Sequence, residues 1–152
     1  MAVQYFFPND KVQFERNVSH FDLDKCQFEK KEIDICIFSD SNLKCAIELK
    51  FPRNGQVPET MFSFCKDILF LEQLVMAGFE SAHFIALVDE HLFYEGQTGG
   101  IYGLFRNGQP ITGLINKPTG AKDSSVLING SYIAKWQVID GNSKYCVISI
   151  YS

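Results

Sequence analysis

Residues 32–52 read EIDICIFSDSNLKCAIELKFP. Two short runs of alternating apolar and polar residues flank Asp40, Ser41 and Asn42, which favour tight turns through local side-chain to backbone hydrogen bonds. A hairpin turning on Ser41 sets Ile33 against Leu49, Ile35 against Ile47 and Ile37 against Cys45. Successive strand side chains point to opposite faces, so these odd positions form one apolar face, predicted to be the buried one. On the even face Asp34 stands opposite Glu48, and Glu32 opposite Lys50. Two carboxylates facing each other across a strand pair repel. A metal cation, a shared proton or a different register is needed to offset that repulsion. Lys50 lies two residues beyond Glu48 and projects from the same face. Two acids and one lysine therefore converge on one spot.

Such a spot has the chemistry of a hydrolytic Mg²⁺ site. Mg²⁺ takes hard oxygen ligands, often one or two carboxylates with several retained waters. A lysine beside it orients a water or stabilises charge developing on a phosphate. Asp34, followed after a hairpin by Glu48, Leu49 and Lys50, resembles the PD-(D/E)xK nuclease superfamily, with its restriction-endonuclease-like fold. The resemblance spans the first 90 residues and rests on the motif in its context, a hairpin before it and a helix and strand after it. Ile33 stands where the name-giving proline would be, a position that varies within the superfamily.

The resemblance implies an α/β protein with a mixed central sheet flanked by helices. A restriction-endonuclease-like core over residues 9–90 and a β-rich C-terminal extension over 96–152 would make a single nuclease-like domain, 1–152. It implies a metal-dependent nuclease that hydrolyses phosphodiester bonds of nucleic acid, DNA first, with Mg²⁺ or Mn²⁺ as cofactor. Asp34, Glu48 and Lys50 are the catalytic residues of that reading. Asp34, Glu48 and the Leu49 carbonyl are its metal ligands, with Glu15 of a first helix completing the shell. A homodimer is compatible with it.

Composition bounds these expectations. The chain has 152 residues, enough for one domain with a real core, and a net charge of −4. That balance argues against a binder whose affinity leans on Lys and Arg neutralising phosphates. The basic residues are unevenly spread, however: nine of the 14 lie at or before Lys66. The five cysteines contain no CxxC pair. Cys36, Cys45 and Cys65 sit in apolar patterns and read as reduced core residues of a cytoplasmic protein rather than zinc ligands. No apolar run is long enough to span a membrane and no signal-peptide pattern is present, so no membrane partner is expected.

Outside the hairpin the pattern predicts a helix over 9–22, from the Phe14, Val18 and Phe21 stripe, and a strand over 25–30 with Cys26 and Phe28 inward. Pro52, Asn54, Gly55 and Pro58 predict a loop. Arg53 on it reads either as a phosphate contact or as part of a plain connection. Residues 59–77 carry a wide apolar stripe and predict a long helix ending at Gly78. By resemblance, Lys66 and Gln73 on that helix are substrate-binding candidates. Read from the residues, they belong with Asp67 and Glu72 to a solvated face. Residues 82–88 predict a central strand covered on both faces, parallel to the strand before the helix. His83 reads as structural, and Asp89, Glu90 and His91 as strand-end residues with a minor metal alternative. Beyond the glycines at 96–108, the pattern gives a helical turn at 101–105 and short strands at 111–115 and 126–128. A hairpin of 132–139 with 145–151 then extends the same sheet, with Trp136 as a packing anchor.

Two other readings fit the same residues. One is a non-catalytic nucleic-acid-binding or protein-interaction module on the same fold. The other is a plain α/β domain in which Glu32 pairs with Lys50 while Asp34 and Glu48 are solvated.

Overall fold

The computed structural model describes residues 5–6, 8–53, 55–120 and 124–152. The hairpin that anchors the sequence reading is present, as β2 (Glu32–Phe38) and β3 (Leu43–Lys50). Its register is the expected one: Ile35 pairs with Ile47, Cys36 with Ala46 and Ile37 with Cys45. β3 leads into a long helix, α1 (Val57–Met76), and then into β4 (Ser81–Val88), which lies parallel to β3. A helix between parallel neighbours is the crossover that parallel pairing requires. Pro58, expected in a loop, stands instead in the first turn of α1, where its missing N–H is not needed. Gly78 (φ 124°) ends the helix, with the N–H of Gly78 donating to Val75 and that of Phe79 to Leu74.

The N-terminal part departs from expectation. Residues predicted as a helix form a strand, β1 (Lys11–Asn17), antiparallel to β2. Val12 and Phe14 also satisfy a two-residue period, and pairing along the whole length of β2 outweighs a weak helical stripe. Glu15 interrupts this strand at φ 51°, between the pairs Phe14 with Ile35 and Arg16 with Ile33. Asn17 then accepts the N–H of Ser19 and starts a single 3-10 turn that buries Val18. The predicted strand at 25–30 is a second 3-10 turn, Lys25–Gln27, followed by extended chain, and Cys26 is exposed. Cys36, Cys45, Cys65 and Cys146 are buried free thiols.

The C-terminal third gives a short helix α2 (Ile101–Arg106), then β5 (Ile111–Asn116), β6 (Ser125–Tyr132), β7 (Gln137–Asp140) and β8 (Ser143–Tyr151). β8 pairs with β4 and β7 with β8, so the six-stranded sheet runs β1-β2-β3-β4-β8-β7. Only part of this region extends the main sheet as expected. β5 and β6 pair with each other as a separate ribbon, and residues 133–136 interrupt the strand predicted over 132–139. Trp136 in that break donates its indole N–H to Phe105 (2.8 Å), an anchoring role.

The protein is a mixed α/β fold, but its layering differs from the sequence reading. α1 is packed between the main sheet and the β5–β6 ribbon, which accounts for its burial on nearly all sides. It docks on the even face of β2 and β3, where Cys36, Ala46 and Glu48 are buried; on the odd face Ile33, Ile37 and Cys45 are buried as expected, whereas Leu49 is 46% exposed. Small side chains at Ala46, Ala82 and Ala86 leave room there for the phenylalanines of α1, and Phe64 packs on Phe84 with ring centres 5.2 Å apart. The opposite face, expected to lie under a helix, is partly open. Leu49 and Val147 flank Ile85 on it, and β4 alternates buried and half-buried residues instead of being covered throughout. Among the described residues no helix is long and apolar enough to cross a membrane.

Candidate functional site

The docking of α1 on the even face brings the paired carboxylates into the interior. Glu48 is completely buried. Its Oε1 accepts the backbone N–H of Asp34 (3.2 Å), and the Asp34 Oδ2 accepts the backbone N–H of Leu49 (2.8 Å). Each acid thus caps the other strand's backbone just past the Ile35 with Ile47 pair, where regular pairing of β2 and β3 stops. These crossed bonds replace ladder hydrogen bonds and hold two carboxylates side by side without a change of register.

Two lysines supply the opposing charge. The Lys30 ammonium contacts Glu48 Oε2 and lies 3.2 Å from Asp67 Oδ1. Lys50, on the same strand as Glu48, lies 3.2 Å from Asp67 Oδ2. Asp67 comes from α1 and is only 2% exposed. Its Oδ2 takes no well-directed hydrogen bond among the described residues, so its contact with Lys50 is an ion pair with poor bond geometry. The cluster is therefore Lys30, Asp34, Glu48, Lys50 and Asp67, with one more acid than bases. The register is the expected one, so it is not a register change that offsets the Asp34 and Glu48 repulsion. The Lys30 ammonium and backbone N–H groups contribute to offsetting it. Lys50 pairs with Asp67 rather than with Glu32.

Burial dominates the electrostatics. It pushes the Glu48 carboxyl up to about 7, an effect that Lys30 opposes and Asp34 and Asp67 reinforce. Burial also raises Asp67, against the pull of Lys50 and Lys30. Burial alone would lower Lys30, but Asp67 and Glu48 outweigh it and its net shift is upward. Near neutral pH the Glu48 proton is thus easily gained or lost.

The other predicted site residues are not drawn into the cluster. Lys66 pairs with Glu29 (3.2 Å), and Gln73 Oε1 accepts the Glu29 backbone N–H (2.8 Å). Both hold the segment before β2 against α1, so neither is simply part of a solvated face. Arg53 is exposed, stacks on Phe51 at 4.8 Å and reaches Asp89 at 3.8 Å. Glu15 is exposed on β1, the strand next to β2, rather than on a helix. His83 bonds Ser149 (2.9 Å), as a structural histidine does. Among the described residues no three His, Cys, Asp or Glu side chains close into a ready-made metal cluster.

Sequence reasoning did not single out Asp67 and Lys30. A signal for Asp67 was present: it falls three residues after Phe64 and four before Leu71, inside the apolar stripe of α1. An acid there must be buried and needs a cationic or hydrogen-bonding partner. Nothing local marks Lys30, because its reach to Glu48 depends on how the segment at 28–30 lies on α1. No protein-family model, no curated protein and no solved structure matches the chain.

Proposed function

We propose that the chain is a metal-dependent nuclease, with its site where β2 and β3 part. The observation that carries this reading is the convergence of Asp34, Glu48 and Lys50 on one side of a parting strand pair. The meander of β1, β2 and β3, with α1 crossing over to parallel β4, supports it as the surrounding architecture. The donor set suits Mg²⁺ or Mn²⁺: two carboxylates on neighbouring strands and a backbone carbonyl, oxygen rather than nitrogen or sulfur throughout. Asp34 spends only Oδ2 on the Leu49 N–H, so Oδ1 is available to a cation. Asp34 and Glu48 would hold the metal, with the Leu49 carbonyl as a further donor. When bound, such an ion polarises a phosphate and favours hydroxide over water. Lys50 positions the nucleophile or offsets charge on the phosphate, and Asp67 orients Lys50. DNA is the first substrate to try.

Calorimetric titration of Mg²⁺ and Mn²⁺ into wild type and into Asp34→Ala/Glu48→Ala tests this reading. Binding to wild type that vanishes in the double variant is the expected result. Cleavage of DNA and RNA should then be lost in Lys50→Ala with the fold intact. Retained cleavage in these variants would sink the assignment.

A second reading has its own support. Glu48 and Asp67 are already answered by ammonium groups of the same chain. A non-catalytic binding module would have that closed balance, and neither metal would bind to it.

A further inference from the structure

Lys30 occupies an unusual place. It is half-buried, and its ammonium touches carboxylates from β3 and from α1 and lies over the Phe70 ring (5.6 Å to the centre). The segment that carries it is held on α1 at separate points. Phe28 meets Phe70 edge-on at 6.1 Å, the Glu29 N–H donates to Gln73, and Lys66 pairs with the Glu29 carboxylate. Residues 28–30 thus form a strap laid along α1, and its last side chain enters the acidic cluster.

We propose that Lys30 is an internal counter-cation. Its ammonium holds the place beside Glu48 that a divalent cation takes, and the two compete for that carboxylate. This rests on the metal reading above and adds a regulatory element to it. An ammonium and a divalent cation at one carboxylate repel strongly in a half-buried setting. Asp67 provides the alternative seat. Lys30 already lies 3.2 Å from its Oδ1, so a small swing of a flexible four-carbon stem leaves Lys30 on Asp67 and frees Glu48. Lys50 on the other oxygen of Asp67 keeps that carboxylate in place meanwhile. Gln73 and Lys66 act on the site only by holding the strap.

The test is Mn²⁺ titration by calorimetry into the full chain as wild type, Lys30→Met and Gln73→Ala. Methionine keeps the apolar stem and removes the charge. Lys30→Met should bind Mn²⁺ at least about tenfold more tightly than wild type. Gln73→Ala keeps every charge of the cluster and loosens the strap, so its gain should be severalfold. Circular dichroism establishes folding first; if Lys30→Met is unfolded, Gln73→Ala decides. Variants that bind no tighter than a binding wild type overturn the inference and leave the metal site standing. No binding in all three overturns the metal reading and the inference with it. A silent wild type beside a binding variant supports both.

Discussion

Asp67 and Glu72 stand on the same helix and are both buried, at 2% and 5% exposure, yet their surroundings differ in kind. Five residues on an α-helix turn through about 140°, so the two point toward opposite layers. Glu72 faces the β5–β6 ribbon. Its Oε2 accepts the Asn129 backbone and side-chain N–H groups (2.9 and 3.3 Å), and its Oε1 accepts the Gly130 N–H (2.6 Å) and the Tyr132 hydroxyl (2.9 Å). An added Cβ at Gly130 would run into that hydroxyl, so glycine is what fits against the carboxylate. Asp67 faces the C-terminal end of β3 and is answered by two flexible, half-buried lysines, with one oxygen poorly bonded. Neutral donors fixed in the backbone make a permanent clasp. Mobile ammonium groups make an arrangement whose members can exchange for another cation. Depth of burial alone therefore does not separate a structural acid from one available to chemistry.

Substitutions can break this contrast. Glu72→Ala should have the largest effect on stability, a loss of roughly 3 kcal/mol, because it removes a buried carboxylate that accepts two backbone N–H groups and a hydroxyl at the part-buried seam with the ribbon. Urea unfolding measures it. Asp67→Asn should cost less, roughly 1–2 kcal/mol, since both lysines can turn toward solvent. A larger loss for Asp67→Asn than for Glu72→Ala would reverse the assignment of clasp and site.

A pH series sharpens the same contrast. Glu48 moves from an ordinary 4.5 to about 7 in the fold. The folded state holds that proton more tightly than the unfolded one. The contribution is therefore fully present below about pH 4.5 and is lost as pH rises through 7, a change of roughly 3 kcal/mol. Comparing unfolding at pH 5 and pH 8, wild type should lose about 2–3 kcal/mol more than Glu48→Gln, which cannot titrate. Parallel pH profiles for the two proteins would show that Lys30 keeps Glu48 ionised throughout. The smallest effect belongs to Arg53→Ala. Its pair with Asp89 is exposed and 3.8 Å long, so the midpoint in urea should shift by no more than about 0.5 kcal/mol allows. A strong drop in nucleic-acid affinity for that variant would restore Arg53 as a phosphate contact.

Much of the fold is legible in residues 32–88. Alternation, the polar turn at Ser41 and a helical stripe with a glycine stop are local signals, and they give β2, β3, α1 and β4 with the correct hairpin register. Residues 9–22 misled because the spacing of Phe14, Val18 and Phe21 fits a helix, while the deciding factor is a partner strand far along the chain. Which face of the hairpin the helix packs on was equally hidden. Odd positions are the more apolar, but Ala46, Ala82 and Ala86 make the even face the one a bulky helix can approach.

The candidate site divides in the same way. By itself the sequence determined that Asp34, Glu48 and Lys50 share one face of a hairpin, because side-chain alternation and turn position are properties of a few adjacent residues. Only the tertiary structure decided that this face is buried, that Asp67 completes it and that Lys30 closes it. Those facts depend on where a helix and a distant loop come to rest, and that is settled by packing volume and charge compensation across the whole chain.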